Sequence, residues 1–202
     1  MQSFLHGVIL AIGLILPLGV QNVFVFNQGA QQPNVFRSMP AVLTASVCDT
    51  LLIVLAVSGV SAFITALDGM KLAIMLIGIL FLLYMGWEIW SSKTKTMGDQ
   101  MTMSLKQQIG FAATVSLLNP HAILDTVAVI GTSSAAYTGT EKTLFMFACI
   151  CVSWFWFIGL AITGRLVGTL DSSGRIQMYI NKGSAIMIWG IALYLMISLN
   201  YL

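Results

Sequence analysis

The segment at residues 116–126 reads Ser-Leu-Leu-Asn-Pro-His-Ala-Ile-Leu-Asp-Thr. It lies in a hydrophobic stretch long enough to cross a bilayer, yet it holds a helix breaker, an amide, an imidazole and a carboxylate. Ionisable groups are costly inside a membrane and usually mark a functional site there. A second interruption, Leu-Pro-Leu-Gly-Val-Gln-Asn at residues 16–22, lies in the first hydrophobic stretch. Interruptions in corresponding segments of two halves are typical of the substrate site of a secondary transporter.

The composition excludes most soluble classes of protein. Of the 202 residues, 58% are hydrophobic and only 8% are charged, whereas a soluble domain carries about 25% charged residues. The net charge of +2 is too small to indicate binding to nucleic acid. The three cysteines lie in hydrophobic stretches without metal-site spacing, so we expect neither a metal nor another cofactor. The N-terminus lacks a Lys/Arg-rich start, so we expect it to be a retained first span rather than a signal peptide.

Six stretches satisfy the length of about 20 mostly apolar residues that a membrane-crossing helix needs. Their approximate limits are Phe4–Phe26, Pro40–Leu67, Lys71–Trp90, Ile109–Ser134, Thr143–Val167 and Gly183–Tyr201. The longest polar stretch, residues 91–108, separates them into two sets of three. We therefore predict an all-α, polytopic membrane bundle in which residues 1–202 form a single transmembrane domain, with one repeat at about 1–90 and another at about 109–202.

The spacing of key residues indicates that the two halves are inverted repeats with broken first and fourth helices. Asp49 follows Pro17 by 32 positions, and Ser153 follows Pro120 by 33. An odd number of spans in each half reverses the second half relative to the first, as in several transporter folds.

The basic residues predict the orientation in the membrane, because cytoplasmic loops are enriched in Lys and Arg. Loops one, three and five carry Arg37, Lys93, Lys95, Lys106, Arg165, Arg175 and Lys182, whereas the opposite side carries Lys71 and Lys142. With six spans, this places the odd loops in the cytoplasm and both termini outside.

Two carboxylates, Asp49 and Asp125, lie deep within predicted spans. Each Asp costs about 2.5–3.5 kcal/mol at the centre of a membrane helix, which favours a functional role over a purely structural hydrogen bond between helices. His121 precedes Asp125 by four positions and therefore shares its helix face. With only two histidines in the chain, a metal site is not expected.

The prolines predict breaks beside these acids. Pro120 removes a backbone hydrogen bond, and the half-helix that begins at Asn119 would present N–H groups that favour an anion such as a carboxylate. Pro17 and Gly19 should open the first span in the same way, beside Gln21 and Asn22. A packing kink is the alternative for each proline taken alone.

These features together predict a site for a zwitterion with an extra positive charge. The half-helix termini would receive its carboxylate, and the two acids would receive its ammonium or guanidinium group. Expelling a cation against a negative-inside potential costs about 2.3 kcal/mol per 100 mV, and returning a proton cancels that term. Either acid could bind proton and substrate in turn, which would give antiport. The candidate binding residues are Asp49, Asp125, Gln21, Asn22, Asn119, His121 and Trp154.

Several motifs resemble the LysE-type family of lysine and arginine exporters. They are residues 16–25 (LPLGVQNVFV) with Gln28-Gly29, residues 119–126 (NPHAILDT) with Gly131, the region Ser46–Thr50, Ser153–Phe155, and the end from Asn181 to Trp189. The likeness extends over nearly the whole chain, and the Asn-Pro-His…Leu-Asp form resembles the branch that exports basic amino acids. One departure is Val20, where the family usually has proline.

The resemblance implies an exporter of lysine or arginine in the cytoplasmic membrane, driven by the proton gradient. Its partners would be a small amino acid, protons and membrane lipids, and the sequence leaves a homodimer open. Export of a neutral amino acid or another cation is the nearest alternative. A membrane-embedded enzyme would need a nucleophile or metal constellation that the sequence lacks, and a channel would need polar stripes on several spans.

Overall fold

The computed structural model describes residues 1–16, 19–59, 68–91, 103–170 and 175–198. Every regular element in these ranges is helical, which confirms the predicted all-α class. In chain order they are α1 (Gln2–Ile15), α2 (Val20–Gln31), α3 (Val35–Val57), α4 (Asp68–Ser91), α5 (Leu105–Leu117), α6 (Pro120–Asp125), a π-helix (Thr126–Gly131), α7 (Thr132–Ser134), α8 (Gly139–Leu170) and α9 (Arg175–Ser198).

Helix starts follow local capping signals. The Asn34 side chain accepts a hydrogen bond from the Arg37 backbone N–H at 3.0 Å and begins α3. Ser104 and Gln107 form a reciprocal capping box at the start of α5. Both arrangements satisfy N–H groups that the first helical turn leaves unpaired.

Three helices in the described ranges are long and apolar enough to cross a membrane: α3, α8 and the Met178–Ile197 part of α9. A fourth candidate is the pair α1 and α2, a broken span whose halves are bent by 79°. The apolar part of α4 is shorter, at Leu76–Ser91. The predicted fourth span is occupied by α5, α6, the π-helix and α7, none of which is long enough by itself.

The long helix α8 is the centre of the bundle and packs against α1, α2 and α3. Its contact with α2 is made almost backbone to backbone. A Cβ atom added to Gly164 would collide with the Phe26 carbonyl oxygen, and one added to Gly168 would collide with that of Ala30. In the opposite direction, a Cβ atom added to Gly29 of α2 would collide with the Ala161 carbonyl oxygen of α8. Small residues allow such close approach between membrane helices.

The helices α4 and α9 form a second packed pair. The Trp189 indole N–H donates to the Leu83 carbonyl at 3.3 Å, and the indole fills the space that a side chain at Gly86 would occupy. Trp90 stacks near Trp189 at a ring-centroid distance of 5.6 Å. This pair also contacts the interrupted helices, because α4 touches α6 and α9 touches α2.

One end of the bundle is closed by buried carboxamides. Gln32 and Gln108 both donate to the Met103 carbonyl, at 3.2 and 3.1 Å, and Gln108 also donates to the Arg37 carbonyl at 3.0 Å. The Arg165 guanidinium donates to the Gln32 carbonyl at 3.0 Å. The connection between α2 and α3, the segment just before α5 and the C-terminal part of α8 therefore meet at this end, which is the end predicted to face the cytoplasm. We call it the glutamine end.

The opposite end is aromatic. The His6 Nδ1 atom lies 2.8 Å from the Tyr137 hydroxyl, and both rings pack against Phe145 at centroid distances of 5.5 Å. The N-terminal ammonium lies 3.9 Å from the Glu141 carboxylate here.

Large apolar side chains point outward from the bundle. Phe155 is 75% exposed, and Ile9 and Leu80 are each 69% exposed. Such a surface would associate in water, whereas it suits contact with lipid.

Candidate functional site

A cavity of about 100 Å³ lies where the two interruptions meet α3 and α8. Its polar lining comes from both interruptions and from the two neighbouring helices. The residues that line it are Ala11, Leu14, Ile15, Gly19, Gln21, Asn22, Asp49, Ile53, Asn119, Ala122, Asp125, Thr126, Ile130, Cys149, Ser153, Phe157 and Ile191.

The first interruption lies between Ile15, which ends α1, and Val20, which begins α2. Gly19 has an extended backbone there, with φ −68° and ψ 173°. The Asn22 side-chain amide donates to the Ile15 carbonyl at 2.8 Å, and the Gln21 amide donates to the Ala45 carbonyl of α3 at 3.4 Å. Each amide thus ties the start of α2 to a neighbouring backbone carbonyl while it also lines the cavity.

The second interruption lies between Leu117, which ends α5, and Pro120, which begins α6. Proline is favoured at the first helical position because the N–H that it lacks would be unpaired there. Asn119 has an extended backbone and its side chain makes no capping hydrogen bond. It is 6% exposed, and its Oδ1 atom has no hydrogen-bond partner among the described residues. A buried acceptor of this kind costs about 1–3 kcal/mol unless a donor reaches it.

Asp125 is the last residue of α6 and the π-helix begins directly after it. The π-helix packs against α3, where Gly131 lies close to the Ala56 carbonyl. Short π-helical segments are rare and are frequent at functional sites. The helix changes from α to π directly after Asp125. Asp125 lines the cavity, and the turn that follows packs against α3.

Asp49 enters the cavity from α3, where the Ser153 hydroxyl of α8 donates to its Oδ2 atom. The neighbouring pair is also bonded, since the Trp154 indole N–H donates to the Thr50 hydroxyl at 3.0 Å. Two consecutive residues of α3 are thereby joined to two consecutive residues of α8.

The electrostatic character of the cavity is negative. Its described lining includes two carboxylates, Asp49 and Asp125, and no Lys, Arg or His. No three His, Cys, Asp or Glu side chains gather as a metal site would require in the part of the chain that the structure describes. The arrangement suits an organic cation that supplies hydrogen-bond donors to carboxylates and amide oxygens.

The predicted binding residues that line this cavity are Asp49, Asp125, Gln21, Asn22 and Asn119, together with Gly19. Trp154 instead contacts Thr50. Of Pro120 and His121 the structure describes the backbone within α6 but not the side chain, and Pro17 lies outside the described residues.

Sequence reasoning missed several residues of the lining, above all Ser153 and Thr126. A hydroxyl in a helix usually bonds to its own backbone, so its presence in a sequence does not indicate a cavity. Two signals were available for Ser153: the Ser153–Phe155 motif, and its spacing from Pro120, which differs by one position from that of Asp49 from Pro17.

Comparisons with known proteins agree with this description. The model of the family described as LysE type translocator matches residues 12–199. YisU of Bacillus subtilis (strain 168) is 58% identical over 200 residues, covering 98% of this chain and 91% of that protein. The arginine exporter protein ArgO of Pectobacterium carotovorum subsp. carotovorum (strain PC1) is 33% identical, covering 95% of each chain. That of Escherichia coli (strain K12) is 29% identical, covering 95% of this chain and 92% of its own. No solved structure matches.

The family match extends over both interruptions and over all of the described cavity lining except Ala11. The chain therefore belongs to the LysE-type translocators, and it is a multi-pass membrane transporter rather than an enzyme.

Proposed function

We propose that this transporter exports basic amino acids, arginine or lysine, across the cytoplasmic membrane in exchange for protons. The observation that supports this most is the cavity between two helix interruptions, lined by Asp49 and Asp125 without a described cationic side chain. A guanidinium or ammonium group would bring a positive charge and hydrogen-bond donors to this lining. Relatives named arginine exporter protein align over 95% of the chain, which supports the same substrate class.

Proton exchange is proposed on energetic grounds. Export of a cation against a negative-inside potential costs about 2.3 kcal/mol for each 100 mV. One proton returning for each cation removes this electrical cost and leaves the pH gradient to drive export. Carboxylates that face the same cavity as the substrate are suitable carriers of that proton.

We also propose that the chain forms six spans as two inverted repeats. Contacts in the structure support an internal two-fold relation: α2 packs on α8, while α5 and the π-helix pack on α3. Asp49 and Ser153 occupy nearly equivalent places, 32 positions after Pro17 and 33 after Pro120, and they bond to each other. Gly86 and Trp189, each 69 positions after those prolines, also touch. Equivalent residues meet in this way around a two-fold axis.

Transport by purified protein in proteoliposomes tests the proposed function. The vesicles are loaded with labelled arginine or lysine, and the outside is made acidic while the membrane potential is clamped. We expect efflux of both amino acids to accelerate with the pH gradient, accompanied by proton uptake, whereas labelled leucine should stay inside. Efflux that ignores the pH gradient would contradict proton exchange, and movement of leucine alone would contradict the substrate class.

Asn119 provides a test of the substrate contact. Asn119→Ala removes the unpartnered Oδ1 acceptor, so arginine binding should weaken by about 1–2 kcal/mol, or roughly 5- to 30-fold. Asn119→Asp keeps an acceptor in the same place and should retain most of the affinity. Titration of detergent-solubilised protein with arginine measures both values. Equal affinity of the alanine variant and the wild type would mean that the substrate does not reach Asn119.

A further inference from the structure

The Asp49 carboxylate has a partner that suits two protonation states. The Ser153 hydroxyl donates to Asp49 Oδ2 in the structure. A hydroxyl both donates and accepts, so after protonation of Asp49 the same side chain can accept the carboxyl O–H. Neither state leaves a buried polar group unpaired, and the carboxyl group remains held against α8 in both.

Among the residues that the structure describes, no Lys, Arg or His side chain lines the cavity beside Asp49. Its own helix presents the Cys48 thiol, α8 presents the Cys149 thiol one turn before Ser153, and α6 ends in Asp125 across the cavity. The described lining from α1, α2 and the π-helix carries only apolar, amide and hydroxyl side chains.

Asp125 has different surroundings. Its helix begins after Asn119, whose Oδ1 atom accepts hydrogen bonds and cannot donate them. The helix separates the two residues by about 9 Å along its axis, a distance comparable to the length of an extended basic amino acid. On this side of the cavity, N–H groups of the substrate can therefore donate to Asn119 Oδ1, whereas Asn119 itself does not take up a proton.

We propose that the two acids have separate tasks: Asp49, positioned by Ser153, carries the proton, while Asp125 and Asn119 hold the nitrogen groups of the substrate. The inference rests on the proposed function. Asp49 takes a proton from external water when the cavity is open to the outside, and it returns that proton to cytoplasmic water when the cavity is open to the cytoplasm. Substrate leaves in the first state and binds in the second.

Separate measurements of exchange and of driven transport test this division. Exchange of labelled for unlabelled arginine needs the substrate site but no net proton movement. We expect Asp49→Asn to keep at least a tenth of wild-type exchange, to lose its pH dependence, and to lose acceleration by a proton gradient. An Asp49→Asn protein that binds no arginine, or one that still responds to the gradient, would overturn the inference.

Ser153 offers a second test that does not remove the acid. The hydroxyl can pair with both states, but its hydrogen bond to the ionised carboxylate is charge-assisted and stronger, so Ser153→Ala should move the midpoint of the pH profile of exchange upward by about 0.5–1 unit. Ser153→Thr restores the hydroxyl and should restore the midpoint. Ser38→Ala is the matched control, since Ser38 is equally buried but bonds within its own helix. A midpoint unmoved in Ser153→Ala would exclude the positioning role.

These results separate the two proposals. A wild-type protein that moves no basic amino acid overturns the proposed function and this inference with it. A wild type that exchanges arginine for protons, beside an Asp49→Asn variant that does the same, overturns the inference alone.

Discussion

Asp125→Asn should abolish export of arginine and lysine while leaving the protein folded in the membrane. The substitution keeps the size of the side chain and removes its charge. The proposal places the Asp125 carboxylate directly against the nitrogen groups of the substrate, and losing one partner of a desolvated charge pair costs about 2–5 kcal/mol, or about 30-fold to several thousand-fold in affinity. Arginine binding in detergent and efflux from proteoliposomes measure the loss, and the elution volume of the purified protein reports its folding.

Glu141→Gln is the matched control for this change. Glu141 lies at the aromatic end of the bundle, is more than half exposed and faces only the N-terminal ammonium. Ion pairs of this kind contribute about 0–1 kcal/mol, so transport should continue. Normal efflux from the Asp125→Asn protein would mean that Asp125 serves the structure of the bundle and not its substrate.

Among the glycines that the structure describes, Gly164→Ala should produce the largest loss of stability. The new Cβ would meet the Phe26 carbonyl oxygen and approach the Ala30 backbone nitrogen, neither of which can turn aside as a side chain can. Overpacking of this kind costs about 1–3 kcal/mol, and each kcal/mol lowers the melting temperature of a chain of this size by about 2–4 °C. Thermal unfolding of the purified protein measures the effect.

Another glycine of α8 provides the matched control for Gly164→Ala. Gly159 also lies in α8, but a Cβ atom added there meets nothing within 4 Å. Gly159→Ala should therefore leave the melting temperature unchanged or raise it, because alanine favours a helix over glycine. If the two alanine variants melted together, the close contact of α2 with α8 would not govern stability.

The helical class and the places of the interruptions follow from simple rules. Long apolar stretches predict membrane helices, and the structure ends α5 just before the Asn119-Pro120 pair, as the chemistry of proline requires. The two deep acids stood out because so few charges occur in the chain. Their presence in one cavity could be anticipated only through the proposed symmetry of the halves, since Asp49 and Asp125 are far apart in sequence.

Other features depend on packing that no local pattern encodes. The deep position of Trp154 indicated either substrate contact or packing, and the structure places its indole on Thr50. The π-helix after Asp125 has no characteristic amino-acid composition. Packing against the neighbouring helices decides whether a helical turn holds an extra residue. Glycines of α8 allow the close contact with α2, but another glycine of the same helix, Gly159, has no close neighbour. The sequence alone does not distinguish the two kinds of glycine.

The glutamine end has a consequence for energy conservation in the cell. Carboxamides, backbone carbonyls and guanidinium groups neither take up nor release protons near neutral pH. The described part of this end is built from such groups, at Gln32, Gln108, Arg37 and Arg165. Under the proposed orientation and proton exchange, these described groups provide no titratable side chain that could relay protons between the cavity and the cytoplasm, which limits proton leak through a carrier without substrate.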